Sequence, residues 1–360
     1  NLSMKKYKEF FKGKTVIVTG HTGFKGSWLC LILWLLGARV IGISSYDLGK
    51  ESNYSILKLN KKIYKEYKFN ILNLHKLKNV ILKSKPDIIF HLAAQSLVSK
   101  SVKDPIETFN TNIIGTANIL ETIRDLKKKC AAVIITSDKC YLNKETYIGY
   151  KETDNLGGID PYSASKASAE IIFNSYFKSY FEGNKNISIA TARAGNVIGG
   201  GDFSQDRIIP DVIRSISKNK ILNIRSPKST RPWQHVLEPL RGYLELSINL
   251  YLSKKNSGQS FNFGPRKKEN YNVIEIIDFV KKKVPSLKVK LDKKKYVFKE
   301  SGLLKLNCKK AEQLLGWHTF FNTKECINYT LDWYLCYLSK DNIEILTLKQ
   351  IREYFEKNKF

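Results

Sequence analysis

Residues 15–38 read TVIVTGHTGFKGSWLCLILWLLGA, and this stretch decides the fold. A short run of Val and Ile ends at Gly20. Gly20, Gly23 and Gly26 then follow at a spacing of Gly-x-x-Gly-x-x-Gly, with Thr22 and Phe24 inside the turn, before a long apolar helical stretch. Glycines let the backbone turn tightly and approach a pyrophosphate, and the helix N-terminus beyond supplies N–H groups and partial positive charge. Between a first strand and a helix, this spacing predicts a dinucleotide-binding loop.

Outward from that loop, apolar runs alternate with helix-length stretches up to about residue 195. TVIVTG (15–20), RVIGIS (39–44), DIIFHLA (87–93), AAVIITS (131–137) and ISIATARA (187–194) read as strands. They lack polar alternation, as expected of a parallel sheet covered on both faces. Helices are expected over 26–37, 106–128 and 162–182. The pattern predicts an α/β, Rossmann-like, doubly wound parallel sheet with a smaller, mostly C-terminal α/β lobe for substrate. The expected division is 14–195 for the dinucleotide-binding domain, with 233–264 returning to it. The substrate lobe takes 196–232 and 265–340, and a C-terminal helix takes 341–360.

The chain has 360 residues, 42% apolar and 12% aromatic, enough for a large core. No apolar run reaches the roughly 18–20 residues of a membrane span. The basic N-terminus lacks a signal-peptide pattern, so a cytoplasmic protein is the expectation. Six cysteines form no Cys-x-x-Cys pair and five histidines are scattered, which argues against a metal site or a disulfide framework. The net charge of +28 is mostly lysine spread along the chain, without a clean basic helix. Nucleic acid is therefore not the expected partner, though a basic surface can help attract an anionic small molecule.

An acidic residue that would hold the adenosine ribose is expected at the end of the second strand. Ser44 stands there, in GISSYD (42–47), with Asp47 a turn later. No arginine suited to a 2′-phosphate is present either, so this strand end leaves NAD and NADP open. In FNILN (69–73), Asn70 and Ile71 occupy the adenine-side position after the third strand.

DPYSASKASAE (160–170) puts Tyr162 and Lys166 one helical turn apart, on one face. An ammonium beside a phenol favours the phenolate and is expected to bring its pKa toward neutrality. A phenolate can take a proton from a sugar hydroxyl while hydride leaves for a nicotinamide.

With these residues in place the chain resembles the extended short-chain dehydrogenases/reductases, and among them the nucleotide-sugar 4,6-dehydratases. The resemblance is carried by VTGHTGFKGSWL, HLAAQSLV, TSDKCY, GYKETDNLGGIDPYSASK, ARAGNVIGGGDF, DRIIPDVIR and RPWQHVLEPLRGYL. It spans about 15–245, with a weaker echo at LKLNCKKAEQLLGW (304–317). RPWQHVLEPL and GGIDPYSASK favour the branch acting on CDP-glucose. Ser-Asp-Lys also occurs in UDP-N-acetylglucosamine 4,6-dehydratases, and an epimerase or reductase stopping at C4 chemistry is a further alternative.

The resemblance implies NAD as cofactor and a nucleotide-diphosphate sugar as substrate. It implies C4 oxidation by way of Tyr162, loss of water across C5 and C6, and return of hydride to C6, as in deoxysugar and surface polysaccharide biosynthesis. Ser137 matches the hydroxyl that bonds the C4 oxygen, and Asp138 the acid for the C6 hydroxyl. Lys139 stands where many relatives carry a glutamate base. It is a C5 base if burial and Lys166 depress its pKa, or otherwise stabilises the enolate. Leu92, Ala93 and Ala94 would line the cofactor; Gln95 and Ser96 would touch the nicotinamide side or the sugar. Asn112 is either helix support or an active-site contact. Asn196, Arg207 and Arg231 would meet the diphosphate-sugar, the arginines by bidentate contacts. Arg193 is expected at a strand end or in the pocket wall, Trp233 in the core, and His235 as a satisfied structural histidine. Relatives pair as homodimers through two long helices, here 106–128 and 162–182.

Overall fold

The computed structural model describes residues 4–45, 49, 51–224, 226–266, 269, 271–291 and 303–357. Asp47 lies outside them. A first helix, α1 (Met4–Phe11), precedes β1 (Thr15–Thr19), α2 (Phe24–Leu35) and β2 (Arg39–Ser44). Then come α3 (Asn53–Ile56), β3 (Lys65–Lys68), α4 (Leu74–Ser84), β4 (Ile88–His91), α5 (Val98–Lys103), α6 (Pro105–Phe109), α7 (Gly115–Arg124) and β5 (Cys130–Ile135). The helix α8 (Pro161–Tyr176) leads to β6 (Ile187–Ala194). The remainder is β7 (Val197–Ile198), α9 (Ile208–Ser217), β8 (Leu222–Ile224), β9 (Gln234–His235), α10 (Leu237–Leu252) and β10 (Ser260–Phe263). It closes with α11 (Val273–Lys283), β11 (Val289–Leu291), α12 (Lys309–Leu315), α13 (Thr323–Leu338) and α14 (Ile343–Glu356).

Seven strands form one parallel sheet in the order β10-β6-β5-β4-β1-β2-β3. The order reverses beside β1, which opens a crevice at the carboxyl ends of β1 and β4. Every central strand is apolar on both faces because each face feeds its own core. Val16, Val18, Ile88, Phe90, Ala131 and Val133 pack with α2 and α10. Ile17, Ile41, Ile43, Ile89, Ala132 and Ile134 pack with α4 and α7. Successive side chains of a strand point to opposite faces, so a continuous apolar run is what a doubly covered sheet requires.

The structure corrects several element boundaries. The helix expected over 106–128 is α6 and α7 joined by a π-helical turn, Asn110–Ile114, and it ends at Arg124. The helix expected over 162–182 is α8 followed by a π-helical turn, Phe177–Phe181. Both turns widen the helix without breaking it. The third strand, β3, reads KEYK, with no residue buried, and lies at one edge of the sheet. Periodicity does not reveal such a strand, since neither face is apolar.

After β6 the strands are short: β7 pairs with β9 and β8 with β11, both parallel. Among the described residues, no helix is long and apolar enough to cross a membrane, and no cluster of His, Cys, Asp and Glu could hold a metal ion.

Phe90 is fully buried on the central strand β4 and belongs to the larger core. Phe90→Ala is expected to cost about 3–5 kcal/mol, read as a lower urea midpoint at unchanged slope.

Candidate active site

The glycine loop is shaped by close approaches. Gly20 takes a positive φ of 71°, and its N–H donates to the Ile43 carbonyl at 2.7 Å. A Cβ on Gly20 would lie 2.8 Å from the Ala93 backbone, and one on Gly26 would lie 2.1 Å from the Gly20 carbonyl oxygen. Neither position has space for a side chain. Gly23 is the N-cap of α2 and carries no side-chain cap, so the first turn presents its N–H groups to the crevice. The Thr22 and Ser44 hydroxyls share a hydrogen bond of 2.8 Å, which ties the loop to the end of β2. Phe24 is half-buried against the larger core.

Leu92, Ala93 and Ala94 continue from β4 and are half-buried beside this loop, with the Ala93 N–H donating to Thr19 Oγ1 at 3.2 Å. Asn70 is exposed and its side chain accepts from the Leu72 N–H at 3.0 Å. Ile71 is buried in the second core under Gly115, so it faces protein rather than the crevice. Asn118, absent from the sequence expectations, fixes that turn by donating to the Ile71 and Leu72 carbonyls at 3.1 and 3.2 Å.

The structure brings Ser137, Asp138, Tyr162 and Lys166 together, all buried, at the carboxyl end of β5 and the first turns of α8. The α8 start is firmly set: Asp160 caps it by accepting from the Ser163 N–H at 2.9 Å and the Ser163 hydroxyl at 2.6 Å. Ser137 Oγ donates to Asp138 Oδ1 at 2.9 Å. Asp138 Oδ2 is buried and has no hydrogen-bond partner. Burial raises the Asp138 pKa, against the opposing pull of Lys139, Ser137, Lys25 and Arg231.

The expectation for Tyr162 is reversed. Burial pushes its pKa up to about 12, opposed by the Ser137 hydroxyl and Arg207. Lys166 does not bond the phenol; its Nζ donates to the Ile135 carbonyl at 3.3 Å. Burial lowers Lys166 itself to about 8, against the Glu170 carboxylate and Cys140. Lys139 is half-buried rather than enclosed.

A second lysine reaches the same place. Lys25, from the glycine loop, lies within 3.3 Å of the Tyr243 hydroxyl, to which it donates. Desolvation brings its pKa down to about 7, helped by Arg207 and Lys166 and opposed by Asp138. Its sequence signal is a lysine between Phe24 and Gly26 of the glycine loop. Arg207 precedes α9 and donates to Asp202 at 2.9 Å, and that carboxylate raises the arginine pKa against partial desolvation. Arg231 is buried and acts electrostatically on Asp138. Lys139, Lys25 and Arg231 therefore act on one carboxylate, and Arg207 and Lys166 act in turn on Lys25, a field suited to a diphosphate. Asn196 is half-buried, and its carbonyl accepts from the Gln234 N–H at 3.1 Å.

Of two expected ligand contacts, Gln95 is bonded within the protein and Ser96 is exposed. The Gln95 amide donates to the Leu97 carbonyl at 3.0 Å and Thr108 Oγ1 at 2.9 Å, and its oxygen accepts from the Leu97 N–H at 2.7 Å. One N–H donor serves its own loop and the other reaches α6. Asn112 settles as support: from the π-helical turn it donates to the Gln95 carbonyl and to Ser165 Oγ, both at 2.9 Å. Trp233 is buried. His235 is buried too, but its Nε2 has no hydrogen-bond partner, so it is not fully satisfied.

Fold and site together define a dinucleotide-type α/β enzyme with a Ser-Tyr-Lys constellation beside a buried acid. The family described as GDP-mannose 4,6 dehydratase matches residues 17–330, and the chain belongs to that family. A CDP-glucose 4,6-dehydratase of Salmonella typhimurium is 40% identical over 356 residues, covering 96% of this chain and 98% of the relative. A UDP-glucose 4-epimerase of Mycoplasma genitalium is 26% identical, over 89% of this chain and 96% of that protein. Among solved structures, an epimerase of Methanothermobacter thermautotrophicus superposes with a TM-score of 0.81 at 24% identity, covering 94% of this chain and 97% of that one. A dTDP-glucose 4,6-dehydratase of Bacillus anthracis, solved in complex with NAD, gives a TM-score of 0.74 at 21% identity, over 90% and 97% of the two chains.

The raised Asp138 pKa has a consequence for stability. The native state binds that proton more tightly than the unfolded chain does, so stability falls as pH rises above the ordinary carboxyl range. Asp138→Asn removes the term. It is expected to raise the thermal midpoint at about pH 8 and to leave it nearly unchanged at about pH 4, followed by calorimetry.

Proposed function

We propose that the chain is an NAD-dependent hydro-lyase that converts CDP-glucose to CDP-4-keto-6-deoxyglucose. The observation that carries this reading is the buried Ser137-Asp138-Tyr162-Lys166 constellation set among cations. The substrate is supported by the relative named CDP-glucose 4,6-dehydratase, which is 40% identical over 96% of this chain. A 4-keto-6-deoxy sugar nucleotide is the kind of product that deoxysugar biosynthesis consumes.

The residues present fit NAD. Gly20 and Gly26 leave no room for a Cβ, and the uncapped N-terminus of α2 faces the space where a pyrophosphate would lie. Gly20, Thr22, Gly23, Phe24 and Gly26 would hold the pyrophosphate side. Ser44 and Asn70 would meet the adenosine, with Ile71 acting from beneath, and Leu92, Ala93 and Ala94 would flank the dinucleotide. Bound NAD would take up a hydride at C4 of the sugar and return it at C6.

The chain's own groups handle protons and charge. Tyr162 accepts the C4 hydroxyl proton, and the Ser137 hydroxyl steadies the same oxygen. Arg207 and Ser137 already favour the phenolate against burial. Lys166, held by the Ile135 carbonyl, adds positive charge at the base of the site. Asp138, which burial makes easier to protonate, gives a proton to the departing C6 hydroxyl. The C4 ketone acidifies the C5 proton; Lys139 removes it or stabilises the enolate that forms. Asn196, Arg207 and Arg231 hold the diphosphate, with Arg207 sharing its guanidinium with Asp202.

The same reading takes the protein as a homodimer. Val102, Ile106, Ile114, Ile171 and Tyr180 are exposed apolar residues on α5 through α8 and the two π-helical turns. Covering them with a second copy removes that surface from water. Ile106→Asp with Ile171→Asp is expected to leave monomers in sedimentation velocity; a dimer unchanged by both would place the interface elsewhere.

Supplied with NAD, the protein is expected to turn CDP-glucose into a 4-keto-6-deoxy sugar, with deuterium at C5 when the solvent is D2O, read by NMR. Turnover of UDP-N-acetylglucosamine instead would keep the chemistry and change the substrate. With Lys139→Met, loss of C5 exchange assigns Lys139 to the C5 step, as base or as stabilising charge. Near wild-type exchange excludes it both as the base and as a stabilising charge, since Met supplies neither.

A further inference from the structure

Beneath the site lies a buried ion pair that this mechanism does not use. Arg193, on β6, and Glu170, on α8, meet at 2.7 Å with side chains 2% and 0% exposed. Arg193 Nε and Nη2 donate to the two carboxylate oxygens at 2.9 and 2.7 Å, a two-pronged contact. The Thr136 and Thr191 hydroxyls donate to the same carboxylate, and Ser260 Oγ donates at 3.0 Å. Glu170 therefore joins α8 to three adjacent strands: β6, β10 and the exit of β5.

These attachment points bear on the reacting groups. Thr136 immediately precedes Ser137 and Asp138. Glu170 follows Lys166 by four residues and Tyr162 by eight, so the three share one stripe of α8. Arg193 Nη1 donates in turn to the Tyr141 hydroxyl at 2.8 Å, which closes the other side of the Asp138–Cys140 turn. One carboxylate thus fixes the element carrying Tyr162 and Lys166 against the element carrying Ser137 and Asp138.

The geometry points to Glu170, clamped by Arg193, as a positioning residue of the dehydration: it sets the distance between the Ser137-Asp138 turn and the Tyr162-Lys166 face and places a carboxylate one helical turn from Lys166. This rests on the function proposed above. Replacing a buried pair by apolar residues need not weaken a fold, so burial alone does not explain why a pair stands here. The arrangement of its partners does. Glu170 opposes the loss of charge that burial imposes on Lys166. Burial works against ionisation of Glu170 itself, but Arg193 and the threonine hydroxyls outweigh it and hold its pKa low. The other titratable groups around the pair and Lys166 include Cys140 and Tyr141 after β5, Glu152 in the following loop, Tyr162 on α8, Lys310 on α12, His91 on β4 and Lys25 on α2. Of these, Cys140 also favours the Lys166 ammonium.

The test compares the NAD-loaded wild type with Glu170→Gln and with Glu170→Gln/Arg193→Met. Three quantities are read: kcat and KM on CDP-glucose, the pH–rate profile, and the titration of Lys166 by NMR of isotope-labelled lysine. Both variants are expected to lose on the order of 100-fold in kcat with KM little changed, as for misplacement of reacting groups. Lys166 should titrate at lower pH in both, and the alkaline limb of the profile should move with it. The single variant leaves Arg193 buried and unpaired; if it does not fold, the double variant, which removes both charges, decides the matter. Wild-type kcat and an unmoved Lys166 titration in the folded double variant would overturn the proposal. So would a fall in kcat with Lys166 unmoved and KM raised in step, which is what general loosening would give. If the wild type turns over no nucleotide sugar, the functional reading falls. The Lys166 titration then decides the role of the pair by itself.

Discussion

A parallel sheet covered on both faces leaves its polar groups only one place to work. Along β1, β4 and β5 the apolar side chains feed one of two cores. A ligand reaches these strands at their ends, and the carboxyl ends are where the loops diverge. The glycine turn leaves β1, the alanine pair leaves β4, and the Ser137-Asp138 turn leaves β5. The close approach between Gly20 and Ala93 is a direct product of this arrangement: two neighbouring strands deliver their loops to the same crevice.

Burial is also what sets the chemistry. It lowers Lys25 and Lys166 to about 7 and 8 and raises Asp138, moving cations and acid toward the same range. Groups with converging proton affinities exchange protons at little cost. An elimination that needs an acid and a base within one small volume calls for that kind of environment. Tyr162 is the exception, since burial moves it away from neutrality. The cationic groups nearby act against that shift.

The sheet and the reacting residues were legible in the sequence because both carry strong local signals. A run such as ISIATARA gives β6 at its full length, and Tyr-x-x-x-Lys lands on α8 as spaced. What was not legible is pairing at long range. No local pattern marks Glu170 as the partner of Arg193, 23 residues away. None shows that Lys25 in the glycine loop meets Tyr243, which lies 218 residues on. Gln95 looked available for a ligand only because its loop-closing bonds with Leu97 and Thr108 depend on the path of the chain after β4. The π-helical turns went unseen because a single extra residue per turn hardly disturbs an apolar stripe.

The polar strand β3 has its own significance. An open sheet ends in unpaired N–H and carbonyl groups, a template on which a foreign strand can grow. Here that margin reads KEYK, only four residues long and flanked by further lysines. Its brevity limits how many backbone bonds an intruder could make, and its cations repel another copy of the same strand. A strand with no apolar face contributes little to either core. It serves instead as a barrier that ends the sheet and keeps neighbouring molecules in a crowded cell from extending it into an aggregate.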